Sequence, residues 1–270
     1  MIILGCENLN QSNVILTEPT LLKVENLSVN RSGKLILKDI NLVLRKGEFV
    51  GIVGPNGSGK TTLLLSILGF LKPETGNVEI YGNPPMSRKN FDKIGWVSQA
   101  ASYLPKGIRI TVRELVRLGT INSRNLFFEL DKIGRRERVT NAIKMVGLQD
   151  VENVNIEFLS GGQRQRAVIA RALASQAEFI LLDEPLVGID RGTRNDLLKL
   201  LDRLCHDEDK TVLMVSHDLT AIRQTAHRMI YLEESIKFDG STEDFPDLQT
   251  LADLRGIKPV HDQSFNHNHS

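Results

Sequence analysis

The run Gly54-Pro55-Asn56-Gly57-Ser58-Gly59-Lys60-Thr61 places glycines, one lysine and one hydroxyl at the spacing of a polyphosphate cradle, a P-loop. Its glycines let successive backbone N–H groups close around phosphate oxygens. Lys60 brings positive charge to the β- and γ-phosphates, and Thr61 offers an oxygen to Mg²⁺. Thr62 continues the motif and is counted with the nucleotide-binding residues. A second run, Phe179-Ile180-Leu181-Leu182-Asp183-Glu184, is apolar and ends in two carboxylates. Side chains alternate along a strand, so these two acids face different ways and can hold different jobs. Asp183 is expected to complete a Mg²⁺ shell, and Glu184 to orient or deprotonate an attacking water. In a third run, Leu159-Ser160-Gly161-Gly162-Gln163, a serine and two glycines open a helix that continues through Arg171 and Leu173. A helix start of this kind presents free N–H groups and a dipole to an anion, although read alone it is first of all a plain N-cap with a flexible turn.

These residues need a frame. Glu48 to Val53 is a short apolar run that reads as a strand buried in a parallel sheet, and Lys60 to Leu71 reads as the helix after the glycine-rich turn. Before them, Leu22 to Val29 reads as a strand and Leu35 to Leu44 as one or two more. After them, Asn77 to Tyr81 and Lys93 to Ser98 are strands. From Gln99 to Phe158 the pattern turns helical, with Thr111 and Glu114 spaced as a capping box and a second helix from about Arg136 to Val146. After Ser160 strand and helix alternate again: Phe179 to Asp183, Arg191 to Cys205, Thr211 to Val215 and Leu219 to Ala226. The expectation is an α/β core over residues 21–240, with a helical subdomain at 99–158 and an antiparallel β subdomain. Residues 1–20 read as an extension, and 241–270 as a C-terminal segment with a docking helix from Phe245 to Leu254.

Composition narrows the partners. Of 270 residues, 41% are hydrophobic and 25% charged, an ordinary globular make-up. The 34 basic and 33 acidic residues nearly cancel, so no electrostatic footprint for nucleic acid and no polybasic membrane anchor is present. The longest apolar run, Leu63 to Leu71, is far short of a membrane span, so any membrane role is expected to come through a protein partner. Met1 to Cys6 lacks the charged start and full apolar segment of a lipoprotein signal. Two cysteines, Cys6 and Cys205, without metal-ligand spacing fit a reducing cytoplasm.

Taken in order, these elements resemble the nucleotide-binding subunit of ABC transporters from about Leu22 to Gly240. The resemblance makes Lys60 and Thr61 the Walker A end, Gln99 the Q-loop, Leu159 to Gln163 the signature, Asp183 and Glu184 the Walker B end, Asp190 the D-loop and His217 the switch histidine. It implies ATP as ligand and Mg²⁺ held by Thr61, Asp183 and Gln99, with Glu184, His217 and Lys60 catalytic. It also implies a homodimer or paired ATPase subunit, head to tail, each ATP lying between one P-loop and the other subunit's signature. Integral membrane permease subunits, and indirectly an external substrate-binding protein, complete the implied assembly, with the chain on the cytoplasmic face of the cell membrane. One position departs from the family: where an aromatic residue usually precedes the Gly33 turn to stack on adenine, this chain has Arg31. A guanidinium plane can stack on a purine, and Arg31 can equally be a solvated turn residue.

Soluble ABC ATPases of DNA repair share both Walker motifs, but they commonly carry long coiled coils or metal-binding modules between P-loop and signature. Here about a hundred residues intervene, without sustained heptads or cysteine clusters. Translation-associated members usually join two ATPase domains, and this chain has one P-loop. Within the transporters, Asp183-Glu184-Pro185-Leu186-Val187-Gly188-Ile189-Asp190, Ile94 to Gln99 and Ile110 to Val116 are similar to zinc and manganese importers, with iron chelates or another small solute as alternative cargo. His261, His267 and His269, beside Asp262, read either as a plain polar end or as a tail that gathers Zn²⁺ or a similar ion weakly.

Overall fold

The computed structural model describes residues 19–99, 109–121 and 132–246. Strands β1 (Thr20–Arg31) and β2 (Lys34–Arg45) pair antiparallel across a turn at Ser32 and Gly33, and β4 (Thr75–Ile80) pairs antiparallel with the other edge of β1. Asn26 and Asp39 both sit at φ 49°, close to register shifts in the β1–β2 ladder. Leu35 to Leu44, which left room for one or two strands, lies in one irregular strand, and such irregularities bend long strands over what lies beneath.

A six-stranded sheet lies below, in the order β5 (Ile94–Val97), β6 (Phe179–Asp183), β7 (Thr211–Ser216), β3 (Phe49–Val53), β8 (Arg228–Glu233) and β9 (Ser235–Ser241). Every neighbouring pair is parallel except β8 with β9. Strands β3, β6 and β7 are buried along their whole length, which is why they read as continuous apolar runs. Alternation divides their side chains between two cores. Val50, Ile52, Phe179, Leu181, Leu213 and Val215 pack under the antiparallel sheet and α1 (Lys60–Ile67). Phe49, Val53, Ile180, Leu182, Val212 and Met214 pack against α2 (Val112–Leu118), α3 (Lys132–Met145), α4 (Gly161–Ala174), α5 (Arg191–His206) and α6 (Leu219–Thr225). Each such apolar side chain contributes about 1.5–3 kcal/mol by leaving water, so the sheet is held from both faces.

The helical block forms as its caps dictate. Thr111 Oγ1 accepts from the Glu114 N–H at 3.2 Å, and Glu114 accepts from the Thr111 N–H at 2.8 Å, a complete capping box at the start of α2. Helix α4 packs against both α2 and α3 as well as β5, so it joins the helical block to the sheet.

Two expectations change. Helix α1 stops at Ile67 rather than Leu71, because Gly69, at φ 78°, closes a Schellman motif: the Phe70 N–H donates to the Leu65 carbonyl at 2.9 Å and the Gly69 N–H to the Ser66 carbonyl at 3.0 Å. The β8–β9 hairpin, absent from the sequence reading, completes the sheet beside β3. Beyond it, Phe245 is buried against Tyr231 and Phe238. Residues 1–18, the rest of the expected docking helix from residue 247 onward and the histidine tail with His261, His267 and His269 lie outside the described residues.

Candidate active site

Strand β3 runs parallel between β7 and β8, so its end at Val53 delivers Gly54 to the carboxyl edge of the sheet, where open α/β sheets bind ligands. The loop turns at Pro55, whose carbonyl accepts from the Ser58 N–H, and α1 begins at Lys60 with no side chain capping it. Its first N–H groups therefore remain for an anion. Lys60 is only 7% exposed, and its Nζ donates to the carbonyls of Gly54 at 2.8 Å and Pro55 at 2.9 Å. Burial draws the Lys60 ammonium below its ordinary pKa, and Glu184 and Asp183 push it partly back. Ser58 Oγ is buried with no hydrogen-bond partner among the described residues. An uncapped helix start, a buried cation and an orphaned hydroxyl in one loop fit a phosphate chain.

Thr61 Oγ1 donates to Asp183 Oδ1 at 3.2 Å, so the two oxygens assigned to Mg²⁺ from the sequence do meet. Asp183 is 4% exposed. Burial pushes its carboxyl above the usual range, the Thr61 hydroxyl pulls it back, Glu184 raises it further and Lys60 lowers it. Two hard oxygen donors, one on a carboxylate strained by burial, suit a small divalent cation.

Glu184 sits at φ 51°, left-handed for a side chain that disfavours it, and is held there by its N–H donating to the Val215 carbonyl at 2.9 Å. Such a backbone costs about 1–3 kcal/mol and persists where neighbours over-determine it. The turn aims the carboxylate at His217. Glu184 Oε2 lies 2.8 Å from His217 Nδ1 and 3.3 Å from its backbone N–H. A carboxylate only accepts, so Nδ1 is the donor in this contact. Glu184 is 12% exposed in its side chain and His217 58%, an acid sheltered behind an open histidine.

Arg31, Asn56, Gly57, Gly59, Lys60, Thr61, Thr62, Gln99, Glu184 and His217 line one cleft of about 580 Å³. Sequence reasoning missed its two apolar walls, Ile36 and Val187, which carry no signal of their own. It also missed Asp218, which pairs with Arg194 at 2.5 Å and accepts from the Ala221 N–H at 3.0 Å. An Asp before a helix was a legible N-cap signal, and this one fixes the chain beside His217.

The remaining motif residues stand apart from the cleft. Ser160 and Gln163 form a capping box at the start of α4, and Ser160 and Gly161 are exposed. Asp190 caps α5 by accepting from the Thr193 N–H at 3.1 Å. A cavity of about 680 Å³ in the helical block is lined by Arg113, Arg117 and Arg135 among others, but Arg113 is already paired with Glu152 at 2.6 Å, and no P-loop residue reaches it.

Residues 37–187, more than half of the chain, match the ABC transporter family. The zinc uptake system ATP-binding protein ZurA of Listeria innocua is 37% identical over 87% of this chain and 93% of its own length. The iron(3+)-hydroxamate import ATP-binding protein FhuC of Bacillus subtilis is 35% identical over 79% of each. A dimeric ATP-binding cassette solved in a post-hydrolysis state with ADP and Pi superimposes with a TM-score of 0.70 at 33% identity, covering 83% of this chain and 100% of that one. With P-loop residues, Glu184 and His217 lining one cleft and Asp183 bonded to Thr61, the chain belongs to the ATP-binding, ATP-hydrolysing subunits of ABC transporters.

Proposed function

We propose that this ATPase energises uptake of a divalent metal ion, zinc or manganese, as one of a head-to-tail pair on a membrane permease at the cytoplasmic face, fed indirectly by an external binding protein. The observation that carries the catalytic part is the Glu184–His217 contact opening on the same cleft as Lys60 and Thr61. In this reading Lys60 exchanges the Gly54 and Pro55 carbonyls for phosphate oxygens of ATP, and Ser58 gains its missing partner. Glu184 takes or orients a proton of the attacking water while His217 Nδ1–H fixes the carboxylate and its free ring edge meets the γ-phosphate. Thr61, Asp183 and Gln99 would hold Mg²⁺, which supplies charge neutralisation on the phosphates. Arg31, which lines the same cleft, would lie against the base. Ser160 to Gln163 would cap the γ-phosphate of the partner's ATP, with Asp190 beside them. Among the described residues no helix is long and apolar enough to cross a membrane, which is consistent with attachment through a permease.

The zinc-uptake relative supports the metal cargo, and the ferric hydroxamate relative at nearly equal identity supports a second reading, a metal chelate. One experiment addresses both. With its permease in sealed vesicles, the wild-type chain is expected to drive ATP-dependent accumulation of Zn²⁺ or Mn²⁺. Glu184→Gln is expected to bind ATP, pair stably and turn over orders of magnitude more slowly. Near-normal hydrolysis by the variant would overturn the role of Glu184, and accumulation of a ferric chelate alone would favour the second cargo.

A further inference from the structure

We propose that Asp202, His206 and His227 form a Zn²⁺ site on the side of the molecule away from the P-loop. One ligand atom from each lies within 4.8 Å of the other two. Asp202 and His206 stand four apart on the last turns of α5, on one helix face, and His206 Nδ1 is 3.3 Å from Asp202 Oδ1. His227 comes from a different element, the residue before β8, and its ring meets that of His206 edge to face with centroids 4.9 Å apart. The main chain at His227 is clamped on both sides: its N–H donates to the Phe49 carbonyl at 3.0 Å, and its carbonyl accepts from the Thr242 N–H at 3.2 Å. Phe49 opens β3, whereas the P-loop follows the other end of that strand, so the cluster is separate from the nucleotide cleft.

The donor set selects the ion. Two imidazoles and one carboxylate match the ligands and count of open zinc sites, and imidazole disfavours Mg²⁺ and Mn²⁺ relative to Zn²⁺. Both histidines are exposed, so their rings can turn until the nitrogens converge without disturbing the core. Cys205, although adjacent in sequence to His206, is buried in the core and takes no part. A bound ion would tie the end of α5 to the start of β8, at the foot of the strands that carry the active-site loops. The inference does not depend on the transported cargo, since every ligand lies in this chain.

Calorimetry on the full chain with ZnCl₂, MnCl₂ and MgCl₂ separately, together with the absorption spectrum of added Co²⁺, tests the site. Expected are saturable Zn²⁺ binding, a Zn²⁺-dependent rise in Tm, and a Co²⁺ spectrum of low-symmetry coordination. His206→Asn and His227→Gln should each weaken Zn²⁺ by about tenfold or more, with unchanged Tm in metal-free buffer. A full chain carrying His261→Ala, His267→Ala and His269→Ala should keep the site. Undiminished Zn²⁺ binding in His227→Gln, or loss only in the triple tail variant, would overturn the proposal.

Discussion

At the scale of single residues, the site holds charge where the fold alone would not choose to place it. Asp183 has its carboxyl raised above the ordinary 3.8 chiefly by burial, so the ionised form is less comfortable in the folded chain than in the unfolded one. The sign follows from proton binding: between the two pKa values the native state holds more proton than the unfolded state, and stability falls as pH rises through that window. Above the window the loss is complete and constant. Asp183→Asn keeps an oxygen for the Thr61 hydroxyl and removes the charge. Without nucleotide it is expected to raise Tm at pH 7, with the gain shrinking as pH falls toward 3.8, while Mg²⁺-dependent ATP hydrolysis is lost. Thermal scans from pH 7 to 4 check it, and a Tm below wild type at pH 7 would mean that Asp183 stabilises the empty fold. Much of this was legible in the sequence, because two acids closing an apolar strand beside a P-loop have few other uses. The left-handed turn at Glu184 was not, since a backbone angle imposed by the Val215 contact leaves no trace in residue type.

At the scale of elements, strands buried on both faces and helices with capping boxes announced themselves, whereas elements defined by contact did not. Arg228 to Glu233 offers only four apolar residues between charges, and the turn into β9 is made by Glu234 at φ 58° instead of by Gly, Asn or Pro. That hairpin lacked the punctuation by which hairpins are read. The signature shows the opposite case, where a conspicuous pattern has a packing reason that only the fold reveals. A Cβ on Gly162 would come within 1.8 Å of Thr193 Cγ2, so the start of α4 lies almost against the start of α5. Gly162→Ala should overpack this contact and destabilise the chain by about 1–3 kcal/mol, and adding Thr193→Ser, which deletes the clashing methyl, should restore part of it. Denaturant melts of the two variants decide the matter. Equal loss with and without Thr193→Ser would place the strain elsewhere.

At the scale of the whole molecule, the separation of the signature from the cleft becomes a statement about assembly. Lys60, Thr61 and Glu184 line one cleft, while Ser160 and Gly161 sit exposed at the start of α4 and do not line it. In the proposed head-to-tail pair the P-loop of each chain meets the signature of the other, so that each chain would supply two half-sites. Complementation tests that geometry. Lys60→Ala leaves a sound signature beside a crippled P-loop, and Ser160→Arg leaves a sound P-loop beside a blocked signature, so pairs of either variant alone have two damaged composite sites. A mixed pair has one site with both defects and one with neither. Mixing the two proteins is thus expected to restore ATP hydrolysis that neither shows alone, with a maximum near equal amounts, and Ser160→Arg alone should still bind ATP through its intact P-loop. If every mixture stays at the level of its parts while both variants remain folded, the P-loop and signature of different chains do not share a nucleotide, and the head-to-tail arrangement fails.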